Sequence, residues 1–222
     1  MAVAILVATI IVALFASPAL AAKGATIKYK TDTSDYSCLR KQGYSFAVVR
    51  AQTLIGMLDP HLKSNVESAH EAGMSFVDVF MHPCLECSTP PETQVDKVIA
   101  AIKNLKYRKL WIMVMQIGGW KKDKAFNCRY LKSLVHAGMQ QQGTVGIGTN
   151  IGDWFKIMGA GCEMVEDRPE LWWIRHDESE NLAGLERFAL LHEPIMKEYK
   201  GPIRECGTEV NANFVSSQKQ EL

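Results

Sequence analysis

Apolar, β-branched or aromatic runs recur at Thr26 to Lys30, Phe46 to Arg50, Phe76 to Met81, Leu110 to Met115, Thr144 to Gly148 and Leu171 to Ile174, each bounded by Gly, Pro, Asn or Asp. Runs of this length and composition read as strands. Helical periodicity fills the spaces between them. After Asp59-Pro60, an N-cap followed by proline at the first helical position, Leu62, Val66 and Ala69 keep one face apolar until Gly73. Thr89-Pro90-Pro91 opens a second helix with Val95, Val98, Ile99, Ile102 and Leu105 on one side, and a third from about Arg129 to Gln142 carries Leu131, Leu134, Val135 and Met139. Strand and helix in alternation predict an α/β fold built on a parallel sheet, and the unbroken apolar run Trp111 to Met115 predicts that both faces of that sheet are covered. No linker, repeat or low-complexity segment divides the chain, so a single domain is expected.

Composition narrows the classes without choosing among enzymes or binding proteins. The 222 residues are 47% hydrophobic and 22% charged, and 25 Lys+Arg against 24 Asp+Glu leave a net charge of +1. This balance offers neither the clustered basic surface that nucleic acid requires nor the like-charge blocks of a disordered tail. Met1 to Ala22 carries no charged side chain and ends in Ser17-Pro18 and Ala19-Leu20-Ala21-Ala22. That segment reads as a signal peptide over 1–22, the alternative being a membrane anchor of about 20 residues. The mature chain is expected to start at Lys23, with its domain over 23–215, and to be monomeric with no membrane contact once the leader is removed. The polar tail 216–222 ends in Lys219-Gln220-Glu221-Leu222, one position away from an endoplasmic-reticulum retrieval signal. Secretion and lumenal retention are both open, and no Asn-x-Ser/Thr sequon is present.

A barrel or open parallel sheet builds its site at the carboxyl ends of its strands. On the proposed strands those positions are Asp32, Gln52, His82, Gln116, Asn150, the pair His176-Asp177, and Asn211. Trp120, Trp154, Trp172 and Trp173 lie near the same ends, where flat faces suit sugar rings, although most tryptophans serve the core. Six cysteines behind a leader read as three disulfides, for which 15 pairings exist. Cys84-x-x-Cys87 has the spacing of a dithiol redox site, and His82 beside it suggests zinc. Ser88-Thr89 separate it from the next helix start, however, and no second ligand pair accompanies it. Gly118-Gly119 and Gly146-x-Gly148 read as turn glycines. No metal or cofactor is expected.

Tyr36-Ser37-Cys38-Leu39, Phe46 to Arg50, Val77 to Cys87 with its Pro-Cys-x-x-Cys, and Leu171 to Asp177 together resemble the secreted lysozymes of glycoside hydrolase family 25, in the branch found in nematodes and amoebae. The resemblance spans essentially the mature chain, from Thr31-Asp32-Thr33-Ser34 to Val210-Asn211-Ala212-Asn213-Phe214. It implies that family's irregular β/α barrel, cleavage of the muramic acid to glucosamine link of peptidoglycan in active members, and the pairings Cys38–Cys206, Cys84–Cys87 and Cys128–Cys162. It also implies an Asp at the end of the first strand, an Asp-x-Glu at the end of the fourth and an Asp near the last. These positions read Asp32, Gln116 with Gly118, and Asn211, so only the first keeps its carboxylate.

Glycoside hydrolysis needs an acid for the leaving oxygen and an ionised carboxylate for the oxocarbenium-like centre. A glycine can neither give nor accept a proton, and Gln and Asn cannot become negative. The expectation is therefore a lysozyme-like pseudoenzyme that retains a polar site for peptidoglycan or another glycan in innate defence, with Gln52, His82, Trp173 and Asp177 as binding candidates. Two alternatives stand beside it: a divergent muramidase using Asp32 with Asp177, and a lumenal protein with structural or folding work.

Overall fold

The computed structural model describes residues 21–185, 187–189 and 191–216. The expected leader, except Ala21 and Ala22, and the Lys219 to Leu222 tail lie outside the described residues. The elements in order are β1 (Ala22–Ile27), α1 (Thr33–Lys41), β2 (Tyr44–Gln52), α2 (Leu62–Glu71), β3 (Phe76–Met81), α3 (Pro91–Ile102), β4 (Leu110–Val114), α4 (Lys124–Gln142), β5 (Val145–Thr149), α5 (Ile151–Ile157), β6 (Glu170–Ile174), β7 (Pro194–Glu205) and β8 (Thr208–Val215). The eight strands close into a barrel in chain order. Neighbours from β1 to β7 are parallel, whereas β8 runs antiparallel to both β7 and β1 and so completes the ring.

The strand signals hold for β2 to β6, and the last two strands are a correction. The β7 segment contains Lys197-Glu198, Gly201 and Pro202, which break the apolar pattern. It pairs nonetheless, because the register shifts across Glu198 to Ile203 absorb the Gly-Pro step. β1 begins at Ala22 and ends at Ile27, earlier than the Thr26 to Lys30 run suggests, since its alternation continues back to the Ala22–Val215 pair. α2 starts at Leu62 because Asp59 turns inward to hold Arg50 Nε at 2.7 Å while its other oxygen accepts from His61 N. α4 starts at Lys124, five residues before the expected Arg129, because the Asp123 side chain accepts from Phe126 N.

Period-two alternation sorts the strand residues into two apolar layers. Outward-facing Ile27, Val49, Val79, Ile112, Ile147 and Trp173 pack under helix residues such as Leu39, Val66, Val95 and Leu131. Phe46, Val48, Phe80, Trp111, Met113, Trp172 and Met196 form a second cluster containing no helix residue, which is the barrel interior. Gly146 and Gly148 face inward on β5, not in a turn as their sequence suggests. A Cβ at Gly146 would lie 2.1 Å from the Trp111 ring, and one at Gly148 would lie 2.5 Å from Met113 Sδ. The barrel is filled because Trp111 and Met113 from β4 and Trp172 from β6 occupy the space that side chains at Gly146 and Gly148 would take. At its amino end Asp78 is fully buried and accepts from Arg108 Nε and Nη2 at 2.9 and 2.8 Å and from Trp111 Nε1 at 2.9 Å. The three disulfides join Cys38–Cys206, Cys84–Cys87 and Cys128–Cys162, as the resemblance implies. Among the described residues no helix is long and apolar enough to cross a membrane.

Candidate functional site

Inward-facing residues at the carboxyl ends of the strands define the chemistry of the barrel mouth. On β1 the inward series is Gly24 and Thr26, continuing to Lys28; on β2 it is Val48 and Arg50; on β3, Phe80 continuing to His82. On β4 it is Trp111 and Met113, with Met115 just past the strand packed against the same inner cluster. β6 leads to His176, and the closing strands contribute Glu198, Asn211 and Asn213.

These last groups form one buried network centred on a carboxylate. Glu198, 4% exposed, accepts from Thr26 Oγ1 at 3.1 Å on one oxygen, and from Asn211 Nδ2 and His176 Nε2, each at 2.9 Å, on the other. Asn213 Nδ2 donates to Thr26 Oγ1 at 2.8 Å, and Trp172 Nε1 donates to Asn213 Oδ1 at 3.0 Å. The hydrogen bond to Glu198 raises the His176 pKa, outweighing its partial burial and the nearby charge of Lys28. Across the mouth, burial first, then Lys28 and Arg50, lowers the His82 pKa to about 4. Arg50 itself is held by Asp59 and donates through Nη2 to the Lys28 carbonyl at 2.6 Å.

Several expected site residues lie elsewhere. Asp32 is the exposed N-cap of α1, beyond the end of β1, and its carboxylate lies 3.4 Å from Lys30 Nζ. Gln116 and Gly118 belong to a 3-10 turn after β4; Gln116 Nε2 donates to Asp153 Oδ1 at 2.5 Å and does not enter the barrel. The physical reason is the strand boundary: β4 ends at Val114, so the last inward side chains two apart are Met113 and Met115. Asn211 does face the interior, in register with Thr26.

Of the binding candidates, only His82 is at the mouth with a ring free of hydrogen bonds among the described residues. Gln52 is buried and donates to the His82 carbonyl at 2.9 Å and to Gln94 Oε1 at 3.3 Å, which is structural work. Trp173 faces outward, beside Lys197 and Arg175 at 5.0 and 5.2 Å from its ring centroid. Asp177 follows it, in ion pairs with Lys197 at 2.7 Å and Arg175 at 3.1 Å. Trp154 is in the outer core, the half-buried Trp120 packs against that core and Trp172 is inside the barrel, so among the described residues none of these three indoles forms a platform at the mouth. Asn150 caps α5 by accepting from Asp153 N.

Thr26, Met113 and Met115 were legible only through the inward alternation of β1 and β4. Glu198 carried no signal, because β7 does not read as a strand. Among the described residues no group of three or more His, Cys, Asp or Glu could hold a metal ion. A separate cleft of about 890 Å³ opens at the amino ends of β5 and β6, where Glu170 is paired with Lys109 and Glu193 with Arg187. Barrel chemistry is built at the opposite end.

Residues 18–199 match the family model described as lysozyme-like protein 1. The chain is 30% identical over 200 residues to "Probable GH family 25 lysozyme 5" of Dictyostelium discoideum, covering 86% of this chain and 89% of that protein. It is 27% identical to "Lysozyme-like protein 5" of Caenorhabditis elegans over 93% of this chain and 97% of that one. In fold it is similar to a muramidase from Acremonium alcalophilum, with a TM-score of 0.69 at 12% identity over 87% of this chain and 93% of the other.

Proposed function

The chain belongs to the lysozyme-like family within glycoside hydrolase family 25, and from that membership we propose a secretory-pathway protein that does not hydrolyse peptidoglycan by the family's carboxylate mechanism. It holds peptidoglycan or a related glycan in innate defence. One observation carries this reading: the inward strand-end positions where the family pattern calls for acids are occupied by Thr26, Met113, Met115 and Asn211. None of these can protonate a leaving oxygen or carry negative charge beside a developing cation. General acid or base catalysis alone is worth about 10²- to 10⁴-fold, and both carboxylate roles are missing.

Glu198 is no substitute, since its oxygens are occupied by Thr26, Asn211 and His176 and no second acid faces it from the inward positions of β1, β4 and β8. The Asp32 with Asp177 alternative is unsupported by their surroundings. Partial desolvation of Asp177 is overcome by hydrogen bonds from Lys197 and Ser179 N and by Arg175, so its pKa is lowered, the opposite of what a general acid needs. Passage through the secretory pathway rests on three disulfides and on the leader read from sequence.

The test pairs two assays on the mature chain. It is expected to sediment with insoluble peptidoglycan while leaving Gram-positive cell walls turbid. Clearing at the rate of active relatives would overturn the assignment. The location of a tagged copy separates secretion from lumenal retention.

A further inference from the structure

The three disulfides close loops of very different length. Cys38 and Cys206 are 168 residues apart and Cys128 and Cys162 are 34 apart, but Cys84 and Cys87 are separated by only 3. A bridge restricts the unfolded chain by an amount that grows with the logarithm of the loop it closes, so the Cys84–Cys87 bond does least to hold the fold and its opening disturbs the fold least.

The backbone around Cys84 is fixed by other means. Cys84 N donates to Gln94 Oε1 at 2.9 Å, Gln94 Nε2 donates to the Cys84 carbonyl at 2.9 Å, and Tyr130 Oη donates to the same carbonyl at 3.1 Å. Two residues earlier, His82 N donates to the Gln52 carbonyl at 3.1 Å and Gln52 Nε2 returns a bond to the His82 carbonyl at 2.9 Å. Gln94 belongs to α3, Tyr130 to α4 and Gln52 to β2, so three packed elements grip this segment. The frame does not depend on the sulfur bond, and it keeps an opened pair in place to rejoin.

The two sulfurs differ in access. Cys84 is 4% exposed, whereas Cys87 is half-buried between the exposed Glu86 and Ser88. A Cβ at Gly56 would lie 2.7 Å from Cys87 Sγ, so any side chain at that position would stand on the sulfur, and Gly56, with a φ of +74°, leaves it uncovered. The Ile55 carbonyl oxygen lies 3.5 Å from Cys87 Sγ. A disulfide sulfur has no proton to offer that oxygen, but the Cys87 thiol of a reduced pair donates to it. Both redox states are therefore accommodated. No helix N-terminus activates the pair, since α3 begins at Pro91, and the attacking thiolate must come from the partner.

We propose that Cys84–Cys87 is a thiol–disulfide exchange site that oxidises a cysteine pair of a partner polypeptide. A partner thiolate attacks the accessible Cys87 Sγ and forms a mixed disulfide, while the Cys84–Cys87 bond breaks and Cys84 leaves with the electron pair and takes up a proton. The partner's second thiolate then attacks the partner sulfur of the mixed disulfide, and Cys87 leaves and is protonated in turn. The partner gives up two electrons and two protons and becomes a disulfide, and Cys84 and Cys87 receive them as a dithiol.

The test mixes the oxidised mature chain, without oxygen and at about pH 8, with an excess of a synthetic peptide carrying two reduced cysteines, and maps thiols by alkylation and mass spectrometry. Peptide disulfide is expected at up to about one equivalent per chain, with thiols appearing at Cys84 and Cys87 at least about tenfold faster than at the other four cysteines. Near-ultraviolet circular dichroism is expected to stay unchanged. Cys84→Ser, which leaves Cys87 free, is expected to trap a mixed disulfide with the oxidised peptide, and Cys87→Ser, which leaves the buried Cys84, to trap about tenfold less. The proposal is overturned if no peptide disulfide forms, if all three bridges open at one rate, or if both variants trap equally. Loss of the circular dichroism signal as the pair opens overturns it too, because the bond would then be a structural brace. Reaction with glutathione but not with the peptide excludes a polypeptide partner.

Discussion

Asn211→Asp puts an acid at the inward β8 position where the proposed reading finds one replaced, and the structure predicts that it harms the protein. Asn211 is 6% exposed and its Nδ2 donates to Glu198 Oε1 at 2.9 Å. The substitution replaces that donor with a second carboxylate oxygen at the same place. Two unit charges about 3 Å apart repel by about 5 to 6 kcal/mol at an effective dielectric near 20. The pair has a less costly escape. Binding one proton at about pH 7, for a carboxyl whose ordinary pKa is about 4, costs about 4 kcal/mol, and the shared proton rebuilds the hydrogen bond. The smaller figure decides, so a loss of about 4 kcal/mol is expected near neutrality. The sign of the pH dependence follows. The pair's folded pKa is raised above the unfolded value, so the penalty grows as pH rises above about 4 and fades to about 1 kcal/mol near pH 5 and below. Urea unfolding at the two pH values measures it. Glu198→Gln placed in the same chain removes the second charge and is expected to recover most of the loss near neutrality. A single variant as stable as the parent at both pH values would refute the placement of Glu198 beside Asn211. The same coupling means that an acid at this β8 position costs stability near neutrality unless Glu198 is replaced as well.

His82, 8% exposed with its pKa lowered from 6.5 to about 4, takes up its proton more readily in the unfolded chain. Stability should therefore fall by about 3 kcal/mol as pH drops through that window, and a stably folded His82→Gln variant should show a flatter acid limb in pH-dependent unfolding. The Cys38–Cys206 bridge spans 168 residues of chain, so Cys38→Ser with Cys206→Ser should cost up to about 5 kcal/mol in thermal or urea unfolding. A loss below about 1 kcal/mol would show that the unfolded chain is not constrained by the link.

Much of the barrel was legible before any coordinates. The runs that became β2 to β6 are apolar on both faces because helices cover one side and a filled interior the other. Periodicity also located α3 and most of α4. The closing hairpin was illegible for a specific reason: Lys197 and Glu198 are charged but buried, each satisfied by partners distant in sequence, Asp177 for one and Thr26, His176 and Asn211 for the other. Local pattern cannot distinguish such residues from a solvated loop.

The site divides in the same way. Residue identities alone established the family resemblance, the disulfide pairing it implies, and the absence of an Asp-x-Glu after the fourth apolar run. Which residues face inward at the strand ends depended on where the strands stop and on the direction of each side chain. A shift of one residue turns a side chain from the barrel to the helices, and a shift past the last pair removes it from the strand. Tertiary structure places Thr26, Met113, Met115 and Asn211 facing inward near the strand ends and Asp32, Gln116 and Gly118 beyond them. It also revealed Glu198 held by Thr26, Asn211 and His176. These are contacts between segments far apart in the chain, whose proximity exists only once the barrel has closed.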